Sequence, residues 1–187
     1  MKLVKQTLIK ISNNFSTLAE KSTSQIEEAS KLMLKGLKNG NKIMFCGNGG
    51  SASDAQHLSA ELVGRYMKNR QPLASIALTT DTSVITAISN DFSFDDIFSR
   101  QVESIGREGD ILYAISTSGK SKNIINALKA AKKLNIKTLG VTGSDDSNFR
   151  EVCDLVISVP ASRPDRIQEM HIAVGHIICE LLEEELC

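Results

Sequence analysis

Two glycine- and serine-rich loops, each running straight out of a short apolar segment and into a helical pattern, most constrain this chain's fold. The first is Lys42–Cys46 followed by Gly47-Asn48-Gly49-Gly50-Ser51 and a helix over 52–66. The second is Asp110–Ile115 followed by Ser116-Thr117-Ser118-Gly119-Lys120-Ser121 and a helix over 123–134. Further short apolar segments at 73–78, 137–141 and 155–159 alternate with helical patterns at 82–89, 97–105 and 164–186; residues 142–154 read as a polar loop. Strands alternating with helices predict an α/β three-layer sandwich: a central parallel sheet of about five strands, flanked by helices and doubly wound in the flavodoxin manner. Ligands of such sheets bind at the carboxyl ends of the strands, where both loops fall. Residues 4–38 carry apolar positions at helical spacing, from Leu8 and Ile11 to Leu37. Ser22–Ser24 are placed to interrupt that helix and Asn39-Gly40-Asn41 to stop it. We read one domain over 1–187, with residues 1–40 as an N-terminal helical extension.

Both loops must first be tested as nucleotide sites. Gly47-x-Gly49-x-x-Ala52 fits the loose dinucleotide fingerprint, but that site needs an acid at the end of the second strand, and the first one, Asp81, comes too late. The segment Ala114–Ser121 differs from a P-loop by carrying Ala114 at its first glycine, and no metal-binding acid follows. No nucleotide cofactor is expected. What remains is four hydroxyls in six residues, Ser116, Thr117, Ser118 and Ser121, before a helix N-terminus. Hydroxyls and unclaimed backbone N–H groups there suit a phosphate, and Gly119 permits a close approach. The plainer alternative is a turn and N-cap cluster.

Composition excludes several classes of partner. Lys plus Arg equals Asp plus Glu at 22 each, and Trp is absent, so nothing favours nucleic acid. No apolar run approaches membrane length, and Lys5 and Lys10 break any signal-peptide core. Cys46, Cys153, Cys179 and Cys187 form no C-x-x-C pair and read as reduced cytoplasmic thiols.

Groups able to move protons lie on two helices. His57 and Glu61 are four apart and share a face, although Glu61 has Arg65 at the same spacing and a plain surface pair would explain both. On the last helix, Ile167, Met170, Val174, Ile177, Ile178, Leu181 and Leu182 form the core stripe. Asp165, Gln168 and His176 share another sector with Ile172, Gly175 and Cys179, a mixture that argues for burial against something, either as satisfied core groups or as a site at a subunit contact. His171, at the edge of the core stripe, reads as structural.

Four segments together carry a family resemblance: CGNGGSASDAQHLSAELVGRY (46–66), ALTTDTSVITAISND (77–91), AISTSGKS (114–121) and RIQEMHIAVGH (166–176). The chain resembles, over essentially its whole length, the phosphoheptose isomerases, SIS-domain enzymes acting on sedoheptulose 7-phosphate. The resemblance implies a homotetramer with active sites between subunits, and substrate contacts from Asn48, Gly49, Gly50, Ser51, Asn90, Asp91 and Gln168. It also implies a phosphate held by Ser116, Thr117, Ser118 and Ser121, with Arg65 and Asp165 as further site positions. Zinc would be held by His57, Glu61, Gln168 and His176, with Glu61 and His176 as the catalytic acid/base pair. It implies a ketose-to-aldose isomerisation on the route to heptose for lipopolysaccharide or capsule. The alternatives are a non-catalytic SIS protein, which would lack the acid/base pair, and an isomerase of a shorter ketose phosphate.

Overall fold

The computed structural model describes residues 2–187. Helix α1 (Lys2–Lys38) leads into β1 (Ile43–Gly47), α2 (Gly50–Val63), β2 (Ser75–Ala77) and α3 (Thr82–Asp91). A 3-10 turn at Phe94–Asp96 then precedes α4 (Ser99–Ile105), β3 (Ile111–Ser116), α5 (Lys122–Lys133), β4 (Lys137–Thr142), α6 (Ser147–Val152), β5 (Leu155–Ser158) and α7 (Pro164–Leu186). All strand pairs are parallel, in the order β2-β1-β3-β4-β5. The chain order reverses between β1 and β3, the switch point at which ligands of doubly wound sheets bind. The two Gly/Ser loops leave those two strands.

Side chains alternate across the sheet, so each strand feeds two cores. Phe45, Tyr113, Ile115, Val141 and Ile157 face α1, α2 and α7. Met44, Leu112 and Ala114 face α4 and α5, with Phe149 of α6 closing that side. The expected α/β three-layer sandwich is the one observed. Among the described residues, no helix is long and apolar enough to cross a membrane.

Three local expectations are corrected. The first helix is not interrupted at Ser22–Ser24. Ser22 is buried and donates to the Ser158 carbonyl at 3.1 Å, while Thr23 donates back to Ala19, so these hydroxyls are satisfied inside a continuous helix. The polar stretch before the fifth strand contains α6, anchored by the fully buried Phe149; two apolar residues in six, Phe149 and Val152, leave too little periodicity to detect. The second strand is shorter than expected because the Leu73 N–H bonds to the Leu62 carbonyl of α2 rather than to the sheet. Asn39-Gly40-Asn41 does end α1, with Asn41 N–H bonded to the Gly36 carbonyl and Gly40 at φ 81°.

His171 is 1% exposed, and neither ring nitrogen has a hydrogen-bond partner. Burial pushes its imidazole down to about 4, so it is neutral at physiological pH. A folded pKa below the unfolded one means that the unfolded chain binds the proton more readily. Stability should therefore fall as pH drops from about 6.5 toward 4. Relative to His171→Leu, the wild type should lose about 2 kcal/mol between pH 7.5 and 5 in urea unfolding. Parallel pH profiles for the two proteins would contradict this.

Candidate active site

Helices α2 and α7 run side by side in the same direction. At one end the Gln168 carboxamide lies against Gly50, where an added Cβ would come within 2.5 Å of it. In the middle, Gly175 faces Leu58, and a Cβ there would meet the Leu58 side chain at 2.4 Å. The small residue lets the helices approach, and the neighbouring His176 then reaches α2. His176 Nε2 lies 3.4 Å from His57 Nε2, and His57 Nε2 lies 3.0 Å from Glu61 Oε1. One ligand atom from each of His57, Glu61 and His176 falls within 4.8 Å of the others, a spacing able to hold a metal ion. Two imidazoles and a carboxylate are good zinc donors, and three protein ligands with an open position is the pattern of a catalytic zinc. The donor set therefore fits the metal.

This cluster is built by one chain. Part of the mixed polar sector of α7 packs on α2 of the same molecule, and His176 stays half-buried there. Glu61 pairs with His57 rather than with Arg65, whose guanidinium reaches the Met67 carbonyl at 3.4 Å. Gln168, expected in the same ligand set, lays its carboxamide against Gly50 in the first turn of α2. The structure thus brings His57, Glu61 and His176 of the four expected ligands within reach of one ion and sets Gln168 beside Gly50.

At the switch point, Asn48 and Asn123 exchange two amide hydrogen bonds of 2.9 Å, tying the first loop to α5. Gly49 has φ 57°, which a side chain would strain, and α2 opens without a side-chain cap. In the second loop, Ser116 is buried, Ser118 is exposed, and Thr117 and Ser121 are half-buried. Ser121 occupies the N-cap of α5 but does not cap it; its Oγ lies 3.3 Å from Ser116 Oγ. Ser118 accepts the Lys120 N–H at 3.2 Å across the turn at Gly119, φ 64°. The plain capping explanation thus fails for Ser121, and the first N–H groups of α5 have no side-chain acceptor. Lys120 points to Asp145 at 3.0 Å.

The other expected contacts lie around these features. Ser51 is buried in the first turn of α2, and Asn90 donates to Asp91 at 2.7 Å at the exposed end of α3. Asp165 accepts from Arg163 and Arg166 at the start of α7; these bonds hold its carboxyl well below the usual carboxylate range, burial opposing only weakly. Sequence reasoning missed several neighbours. Asp54, one turn before His57, has an unpartnered buried oxygen, and burial pushes its carboxyl up to about 6 despite the nearby His57. The Tyr66 ring stacks on His176 at 5.5 Å. Asn123 had no signal beyond its place after the loop. Glu183 had one: it lies two turns after His176 on the same helix face.

The SIS domain profile matches residues 8–143. The phosphoheptose isomerase of Akkermansia muciniphila is 48% identical over 98% of this chain and 96% of its own length. The solved phosphoheptose isomerase of Neisseria gonorrhoeae superposes with a TM-score of 0.92 at 41% identity, covering 98% of both chains. That of Francisella tularensis gives 0.94 at 33% identity over 98% of this chain and 97% of that one. The chain belongs to the phosphoheptose isomerase family of SIS-domain proteins. It is an isomerase by this membership.

Gly175→Ala should force α7 away from α2 at Leu58 and widen the His57–His176 gap. The expected result is a loss of zinc affinity or activity of about 10- to 100-fold in a protein that still folds, read by metal titration and turnover. Unchanged affinity and turnover would show that the helix approach does not set the cluster.

Proposed function

We propose that this chain converts sedoheptulose 7-phosphate to D-glycero-D-manno-heptose 7-phosphate by proton transfer through an enediol. The observation that carries this reading is the cluster of His57 and Glu61, on the helix that leaves the switch-point loop, with His176 of α7. Uncapped N–H groups and the hydroxyls of Ser116, Thr117, Ser118 and Ser121 hold the phosphate, while Asn48, Gly49, Gly50 and Ser51 line the β1 side. His57 lies about 12 Å along α2 from Gly49, comparable with the span of an extended seven-carbon sugar phosphate. Gln168, against Gly50, sits near the Gly49 end, within reach of the sugar hydroxyls. Arg65, Asn90, Asp91 and Asp165 complete the substrate contacts.

Glu61 takes the proton from C1, and a proton is returned at C2. His176 moves the hydroxyl proton, so that O1 loses one and O2 gains one, and the ketose becomes the aldose with no net change in atoms. His57 holds the Glu61 carboxylate in place. When bound by His57, Glu61 and His176, with Gln168 as an added contact, zinc would polarise the carbonyl as a Lewis acid. The product feeds heptose synthesis for a surface polysaccharide such as lipopolysaccharide or capsule, in the cytoplasm. The working unit is a homotetramer, with Leu3, Val4, Leu8 and Ile9, exposed along the start of α1, as its contact surface. Residues 1–187 act as a single SIS domain.

Glu61→Gln and His176→Gln should each lower kcat by about 10²- to 10⁴-fold on sedoheptulose 7-phosphate while the fold persists. Wild-type turnover by Glu61→Gln would sink the assignment. Faster turnover of pentulose or hexulose phosphates would move the substrate but not the reaction.

A further inference from the structure

Behind the cluster lies a buried ion pair that none of the chemistry above uses. Arg70 and Glu183 side chains are 5% and 2% exposed, and Arg70 Nε donates to Glu183 Oε1 at 2.9 Å. Isolated buried charges are costly, so a retained pair must be fully hydrogen-bonded. This one is, and apart from a bond from Arg70 Nη1 to the Gln71 carbonyl at 3.1 Å its bonds end on the end of α2 and the segment after it.

Arg70 closes the end of α2. Its Nη2 donates to the Glu61 carbonyl at 2.7 Å and its Nη1 to the Leu62 carbonyl at 2.9 Å. These carbonyls belong to the last turn, which has no intrahelical donors, and a cation there also complements the helix dipole. The guanidinium thus fixes the backbone of the residue assigned as base. Glu183 orders the segment that follows. Its carboxylate accepts the N–H groups of Tyr66, Met67 and Lys68 at 2.8, 2.8 and 2.7 Å. Burial would raise the carboxyl, but these three donors and Arg70 outweigh it and keep Glu183 ionised. Tyr66, held by that first N–H bond, lays its ring on His176 at 5.5 Å and 30° between planes. Glu183 and His176 sit on one face of α7, so the same pair also ties α7 to the end of α2.

We infer that Arg70 and Glu183 are positioning residues: through the end of α2 and through Tyr66, they set Glu61 and His176 in one relative geometry. This rests on the roles proposed above for Glu61 and His176. The planar fork of Arg70 reaches three carbonyls and one carboxylate together, which a lysine ammonium on a single stem would not reproduce.

The test uses the three histidines of the chain, His57, His171 and His176, which give three Cε1–Hε1 resonances in histidine-labelled protein. Arg70→Lys keeps the charge beside Glu183 and should fold. Its kcat should fall about 10- to 100-fold with KM within about threefold of wild type. The His57 and His176 resonances should move while that of the buried His171 stays. Glu183→Gln should act in the same sense. Tyr66→Leu, which leaves the ion pair intact and removes only a half-buried ring, should move His176 and lower kcat even if both pair variants fail to fold. Wild-type kcat in folded Arg70→Lys, a rise in KM alone, movement of all three resonances together, or an unmoved His176 in Tyr66→Leu would each overturn the inference. If the wild type fails to turn over sedoheptulose 7-phosphate, the functional reading falls, while the resonances still report whether the pair sets the cluster.

Discussion

Everything at this site depends on how closely α7 lies on α2. Three contacts set that approach: the Gln168 carboxamide on Gly50, Leu58 against Gly175, and Glu183 on the backbone beyond Val63. The outer two are polar and the central one is steric, so the helices are held at both ends and brought together in the middle. His57, Glu61 and His176 meet only because that spacing holds. Close packing of a glycine against a leucine tolerates little change, since interiors are packed to crystal density.

The parallel sheet supplies the other coordinate. With the order β2-β1-β3-β4-β5, the loops after β1 and β3 become neighbours, and the Asn48–Asn123 amide pair fastens one to the other. The hydroxyl loop before α5 and the His57–Glu61–His176 cluster on α2 and α7 are thereby tied into one framework. Rigidity matters because misplacing a reacting group by about 1 Å can cost on the order of 100-fold in rate. The hydroxyl loop carries no group able to act as a base, so phosphate binding and proton transfer, as proposed, fall to separate parts of the fold.

Much of this was legible in the sequence, for identifiable reasons. Strand–loop–helix punctuation predicted the doubly wound sheet, because Gly and Ser clusters mark strand ends sharply. His57 and Glu61 were paired by their spacing, and the mixed sector of α7 betrayed a buried face. Spacing within one helix says nothing about what packs on it, so the sequence could not show that α2 of the same chain brings His57 and Glu61 to that face. Arg70 and Glu183 are far apart in sequence and individually look like surface charges. Ser22 looked like a helix breaker because its acceptor, Ser158, lies on the last strand. Helix α6 carried too little apolar pattern to be seen.

The central claim is that proton transfer at this cluster interconverts a ketose and an aldose phosphate. Conversion of sedoheptulose 7-phosphate in deuterium oxide, followed by proton NMR of the product, tests it most directly. The Glu61 side chain is 22% exposed, so a proton it holds exchanges with solvent. The account predicts deuterium at C2 of the aldose. Complete retention of the substrate's own hydrogen at C2, as in a hydride shift from C1, would contradict it.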